Sequence, residues 1–364
     1  MDFKNICIVG VGLIGGSFAA ALKQKNGDLH IIGVDEQSVV EKGIKLGLLN
    51  AGFPISELED AAINADLVLL ASPIKQIINQ LKILPSILKK GALVTDVGSS
   101  KSQIVEIAES EFKKGAHFVG GHPMTGSEKR GIDAADHLLF ENCYYVVTPC
   151  CNTPQKVIDR FVRLLEHIGA KVLFLDAETH DRIAATVSHL PQMLAVNLVN
   201  FVEHFNRKNQ QFLKLAAGGF RDMTRIASSP FYMWQDICET NRDNILHVMD
   251  EFIVTLQQFR DHFESSRLEP LFERSARTRL SIPHDTKGFI NPLYDVSVVV
   301  EDKPGIIAEI ANTLAEKQIN IRDIEVLKVR MLESGTLRLS FETEQLRKTA
   351  MELLHERGYI CRKR

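Results

Sequence analysis

The first part of the chain alternates short, wholly apolar runs with amphipathic stretches, the pattern of strands covered on both faces by helices. It predicts a first strand at Ile6-Cys7-Ile8-Val9 and a second at His30 to Val34. Further strands follow from the runs Ala65 to Ala71, Ala92 to Asp96, His117 to Gly120, Tyr144 to Thr148 and Lys171 to Phe174. Between them, helices are expected after the first strand, near Val39 to Lys45, at Gln76 to Leu88 and at Thr153 to Ile168. A parallel, doubly wound α/β sheet ending near Asp176 accounts for the pattern. From Ala177 to about Leu280 the periodicity is helical, with interruptions at Pro191, Gly218-Gly219 and Ser228-Ser229-Pro230. Within it, Ala184 to Val202 is apolar on nearly every face and is expected to be buried all round, inside one subunit or against a second.

Ser281 to Pro292 holds two prolines and a glycine and reads as a linker. After it come strand Tyr294 to Val300, helix Ile306 to Lys317, strands Ile321 to Arg330 and Thr336 to Glu342, helix Glu344 to Arg357 and strand Tyr359 to Lys363. That order, βαββαβ, is a ferredoxin-like sandwich. The expected domains are 1–176, 177–280 (all helical) and 293–364, with 281–292 as the linker.

The first strand runs into Gly10, Gly12 and Gly15 at GxGxxG spacing and then a helix, the turn on which a Rossmann-type domain holds a pyrophosphate. Leu13 and Ile14 open that helix, whose free N–H groups would face the phosphates. Asp35 ends the second strand twenty residues after Gly15, where a carboxylate would hold the ribose hydroxyls. With Glu36 beside it, it would repel a 2′-phosphate, so NAD is favoured over NADP. Ser72, just after the Ala65 to Ala71 run, completes the expected cofactor set.

At 364 residues, two or three domains are expected. A net charge of -3 gives no general attraction to nucleic acid. No charged leader with an apolar core precedes the first strand, and no apolar stretch reaches the roughly 18 residues that a membrane span needs, so a cytoplasmic enzyme is expected. The six cysteines lie at no metal-binding spacing, and no metal is expected.

Three segments carry polar residues that core packing does not require: Val97-Gly98-Ser99-Ser100-Lys101 at the end of one strand, the loop Gly120-Gly121-His122-Pro123 to Glu128 after the next, and Val187-Ser188-His189-Leu190-Pro191-Gln192 in the helical region. Downstream lie Gly218 to Arg225 and Trp234. In order and spacing, GVGLIGGS, DVGSSK, GGHPMTGSE, VSHLPQ and GGFRDMTRIA resemble the prephenate/arogenate dehydrogenase family. The turn Asp302-Lys303-Pro304-Gly305, an apolar helix and then Asn320 resemble the ACT domain, a small regulatory module that commonly binds amino acids. The whole chain is thus similar to the ACT-bearing bacterial prephenate dehydrogenases.

The resemblance implies oxidative decarboxylation of prephenate with NAD, giving 4-hydroxyphenylpyruvate, carbon dioxide and NADH. Hydride leaves the ring carbon bearing the hydroxyl, so a base must take that hydroxyl's proton. His122 suits this task, with Ser99 as its partner, able to hydrogen-bond the same hydroxyl or to orient the ring. The substrate's two carboxylates call for a guanidinium, and Arg225 matches the family's substrate-binding arginine. Asp222, three residues earlier, would position Arg225 or His189, with an ordinary i, i+3 ion pair as the alternative. His189 is a substrate-side or gating residue at the domain junction, or a core histidine beside Pro191. Gln192 stands where some relatives have histidine and joins the substrate set with Glu128; Lys101 stays open between site and core.

A related enzyme class places a catalytic lysine on the first long helix of its second domain, but no lysine occurs here between Lys171 and Lys208. Arogenate dehydrogenase, and a protein that senses NAD and an amino acid without catalysis, are the alternatives. The ACT-like module, with Asp302, Gly305 and Asn320 as its ligand-side residues, implies feedback by tyrosine. A homodimer through the helical region is expected.

Overall fold

The computed structural model describes residues 3–126, 129–281, 294–301, 303–328 and 335–363. Strand β1 (Asn5–Val9) is apolar because alternate residues enter different cores: Ile6 and Ile8 pack on one face of the sheet, Cys7 and Val9 on the other. Around it lie β2 (His30–Val34), β3 (Ala51–Phe53), β4 (Leu67–Leu70), β5 (Leu93–Asp96), β6 (His117–Pro123), β7 (Tyr144–Pro149) and β8 (Lys171–Phe174). The order across this eight-stranded sheet is β3-β2-β1-β4-β5-β6-β7-β8. The chain winds outward from β1 to β3 and then crosses back to β4, so the switch point falls between β1 and β4, where open α/β sheets bind ligands at their carboxyl ends.

The expectation of a wholly parallel sheet is corrected at its last two strands, which run against the other six. β7 runs antiparallel to β6, and β8 follows β7 in parallel. A parallel neighbour requires a crossover, usually a helix. Among the described residues between β6 and β7, only the 3-10 turn Ile132–Ala134 intervenes, and the chain returns along the same edge. The antiparallel ladder also lengthens β6 beyond Gly120, pairing His122 with Val146 and Pro123 with Tyr145. His122 therefore sits on a strand, not on the expected loop. β3 and the helices Leu58–Ala62 and Ser102–Glu111 were not anticipated from the pattern; the first two span only three and five residues.

From Ala177 to Ser281 the described chain is helical. The helix Ala177–Ala184 is capped by Asp176, whose carboxylate accepts from the Thr179 N–H at 2.8 Å. It passes through a π-turn, Ala185–His189, directly into the helix Leu190–Asn206. Pro191 does not interrupt it; it stands at the second residue of the helix Leu190–Asn206, directly after the π-turn. Burial of Ala184 to Val202 inside one subunit is also corrected. Only Leu190, Gln192 and Ala195 of the long helix are buried, and Phe201 remains 59% exposed.

Residues Met1–Arg277 and Thr278–Arg364 form two compact units. In the second, β9 (Tyr294–Val300), β10 (Asp323–Lys328), β11 (Gly335–Phe341) and β12 (Ile360–Lys363) make an antiparallel sheet in the order β10-β11-β9-β12. Val296, Val298, Leu337, Leu339 and Phe341 form its core with Ile310, Leu314, Ala350 and Leu354 of the helices Ile306–Ala315 and Glu344–Glu356. This is the expected βαββαβ order. Gly305 begins the first of these helices at φ +92°, a left-handed conformation that favours glycine. Asn320 is exposed, and Asp302 lies outside the described residues.

Candidate active site

The turn after β1 has the shape that a dinucleotide needs. Gly10 adopts φ +91°, and a side chain there would meet the backbone of Ala71 at 2.6 Å. A Cβ on Gly15 would fall 2.0 Å from the Gly10 carbonyl oxygen, so only glycine lets this helix sit so close to the strand. Gly12 differs: a Cβ there would meet nothing within 4 Å, and its backbone faces open space. The first intrahelical bond runs from the Gly16 N–H to the Gly12 carbonyl, leaving the N–H groups of Leu13, Ile14 and Gly15 without helical acceptors. These features fit a bound pyrophosphate. Asp35 lies at the adjacent strand end, its carboxylate accepting from the Val11 N–H at 2.6 Å and the Glu36 N–H at 2.7 Å. Ser72 closes the turn from β4, its hydroxyl 3.4 Å from the Val9 carbonyl oxygen.

Beyond the carboxyl ends of β5 and β6, where the helical region meets the sheet, lies a buried polar cluster. Asp96 accepts from the Gly98 N–H at 2.8 Å and the Gly121 N–H at 3.1 Å, and it pairs with the ammonium of the fully buried Lys101. One carboxylate thus holds the backbone next to both Ser99 and His122. Gly121 admits this approach, since a Cβ there would lie 2.6 Å from the Asp96 carbonyl. His122 Nδ1 lies 2.8 Å from His180 Nε2, and His180 Nδ1 lies 2.8 Å from Asp181 Oδ1. Asp181 also accepts from the Lys101 N–H at 2.6 Å and the Ser102 N–H at 2.9 Å. The Asn241 amide donates to the Asp181 carbonyl at 2.8 Å and meets His189 Nδ1 at 3.2 Å. His189 packs edge-on against Trp234, and its Nε2 is buried with no hydrogen-bond partner among the described residues.

The electrostatics follow from this burial. Desolvation, then the neighbouring His180, Lys101 and His189, push the His122 imidazole well below its usual range, so it is neutral at pH 7. Burial likewise lowers His189 to about 4, against the pull of Asp181. Burial alone would raise the Asp181 carboxyl, but hydrogen bonds from His180, Ser102 and the Lys101 backbone outweigh it and hold the group below the usual carboxylate range.

The cluster brings together His122, His189 and the turn carrying Ser99. Gln192, also buried, donates to the Ile226 carbonyl at 3.1 Å and so ties the long helix to the segment that follows Arg225. The hydrogen-bond partner of the His122 imidazole is His180, and Ser99 lies on the neighbouring turn without a hydrogen bond to that ring among the described residues. One expected pairing does not form. Asp222 and Arg225 are exposed, and Asp222 positions neither Arg225 nor His189 among the described residues; Asn241 holds His189. Glu128 lies outside the described residues. Asp96, His180, Asp181 and Asn241 were not anticipated, although His180-Asp181 stands in the sequence as an adjacent base and acid just after β8.

Comparison with known proteins agrees with this arrangement. Residues 18–174 match the prephenate dehydrogenase nucleotide-binding domain, 176–276 the prephenate dehydrogenase dimerization domain and 294–330 the ACT domain. The chain is 38% identical to prephenate dehydrogenase of Bacillus subtilis (strain 168), covering 97% of this chain and 96% of that one. Among solved structures it resembles prephenate dehydrogenase from A. aeolicus in complex with hydroxyphenyl propionate and NAD+, with a TM-score of 0.72 and 34% identity over 78% of this chain and 99% of that one. It also resembles Synechocystis arogenate dehydrogenase, with a TM-score of 0.66 and 30% identity over 77% of this chain and 100% of that one. On its nucleotide turn, its fold and these matches, the chain belongs to the prephenate dehydrogenase family and is an NAD-dependent oxidoreductase.

Proposed function

We propose that the protein converts prephenate to 4-hydroxyphenylpyruvate and carbon dioxide, with His122 as the base. The observation that carries this reading is a neutral imidazole whose Nδ1 is already engaged by His180, leaving Nε2 to meet a substrate hydroxyl. When bound, NAD supplies the hydride acceptor. His122 Nε2 takes the hydroxyl proton as the ring carbonyl develops. The bond to the ring carboxylate breaks, its electron pair passes through the ring to the carbonyl oxygen as aromatisation proceeds, carbon dioxide leaves, and that oxygen takes a proton back to become the phenol.

His189 supports an anionic substrate. The Asn241 amide donates to its Nδ1, so the neutral ring carries its proton on Nε2, a buried donor with no acceptor among the described residues. A buried donor left unpaired costs about 1–3 kcal/mol, which a substrate carboxylate would relieve. Arg225 grips a carboxylate from the segment next to Gln192, with Glu128 nearby in sequence to the His122 strand, and Ser99 orients the ring. Asp35 selects NAD by its place at the ribose end of the turn. The test is NADH absorbance with prephenate and, separately, with arogenate. Rapid NADH formation from prephenate is expected; formation from arogenate alone would make arogenate the substrate, and none from either would favour an NAD sensor.

We further propose domains at 1–176, 177–280 and 293–364, a cytoplasmic homodimer joined through the helical region, and tyrosine as effector of the C-terminal unit. Phe201, Phe205, Ile253 and Val254 leave an apolar surface exposed in the single chain, which supports the dimer. No described helix is long and apolar enough to cross a membrane. Removing residues from Asn291 onward is expected to leave NADH formation intact and abolish inhibition by tyrosine. Inhibition that survives would place tyrosine in the active site. For regulation through the C-terminal unit, tyrosine must bind the more and less active states with different affinity.

A further inference from the structure

We infer that His180, held by Asp181, is a positioning residue that fixes the tautomer of His122 and so keeps its Nε2 bare for the substrate hydroxyl. The inference rests on His122 being the base. An ionised carboxylate can only accept hydrogen bonds. Asp181 therefore requires the proton of His180 on Nδ1, 2.8 Å away. With Nδ1 as the one protonated nitrogen of its ring, His180 has a bare Nε2, which can only accept. The 2.8 Å contact from that nitrogen places a proton on His122 Nδ1 and leaves His122 Nε2 without one.

The direction of this chain is set at its far end. Asp181 receives the Lys101 and Ser102 N–H groups at the start of the helix Ser102–Glu111, and it stays ionised because those donors favour the charged form. His180 and Asp181 are 2% and 1% exposed, so water does not compete for either contact. The groups acting on His122 come from each surrounding element: His180 from the helix Ala177–Ala184, Lys101 from the turn after β5 and His189 from the π-turn. All three disfavour a charged imidazole. In the resting protein the ring is therefore neutral, and the remaining choice is which nitrogen bears the proton.

Histidine-selective 15N NMR of the full chain at neutral pH reads that choice without substrate, the His122 signals being assigned with His122→Asn. The wild type is expected to show a protonated Nδ1 and a bare Nε2. In His180→Leu, which removes the acceptor, the proton is expected to move to Nε2 and kcat to fall by roughly 10²-fold or more, with NAD affinity unchanged. His180→Gln, whose amide oxygen can accept from Nδ1, is expected to restore the wild-type tautomer and part of kcat. A wild-type proton on Nε2, an unaltered tautomer in His180→Leu, or His180→Gln no better than His180→Leu overturns the inference. The expected tautomer together with a His122→Asn kcat within a few fold of the wild type overturns the assignment of His122 as base instead.

Discussion

His122→Asn is expected to lower kcat for NADH formation by roughly 10²- to 10⁴-fold, the usual contribution of a positioned general base. Asparagine is close in size and its amide can still donate to His180, but it offers no basic nitrogen. The backbone at this position is fixed independently, by the ladder to Val146 and by Asp96 on the neighbouring Gly121 N–H. NAD affinity, measured by fluorescence titration, should therefore match the wild type. A kcat within a few fold of the wild type would remove His122 from the chemistry.

The same burial predicts the wild type's response to pH. The folded-state pKa values of His122 and His189 lie below those of the unfolded chain. Below about pH 6.5 the unfolded state binds more protons, so the stability contributed by these rings is present above that pH and is lost as the pH falls towards the folded values. Thermal melts across this range should show the midpoint falling with acidity, and kcat should hold to below the usual histidine range before it drops.

Lys101→Met should have the largest effect on stability. The lysine is fully buried against Asp96, itself without exposure. Burial depresses its pKa, and the charges of Asp96 and Asp181 oppose that shift. Methionine would fill similar space but leave the Asp96 carboxylate buried without its cation, at a cost of about 3–5 kcal/mol. A lower melting temperature, on the order of 10 °C, is expected. Adding Asp96→Asn should restore part of it, because the lone charge is then gone. An unchanged melting point in the single variant would show that the pair is not what holds this turn. Since Asp96 also holds the N–H groups next to Ser99 and His122, kcat should fall with stability.

The nucleotide turn was legible because Gly10, Gly12 and Gly15 stand at fixed spacing within one strand, turn and helix, even though the backbone that crowds Gly10 is that of Ala71 after the neighbouring strand. His122 was legible as a lone imidazole between glycines and a proline. Its partner was not, because His180 lies 58 residues away and reaches it only through the fold. The pairing of β7 was hidden for a similar reason, since a buried strand reads alike in either direction. Ala184 to Val202 shows the limit of apolar patterning. The run marks surface that avoids water, but it does not say whether the cover comes from the same chain.

The π-turn Ala185–His189 holds one more residue per turn than the helices on either side. In a regular α-helix each residue advances the phase by about 100°, and the wider turn spreads that rotation over one extra residue, so re-forming the same residues as regular helix would rotate His180 and Asp181 by roughly that angle relative to Gln192, whereas deleting one residue would leave the two flanks nearly in phase. Selection for helix stability and selection for the site thus pull this segment in opposite directions. Substitutions here are constrained by side-chain chemistry and the wide turn itself by angle: a change that lets the same residues settle into a regular helix is the one this enzyme can least absorb.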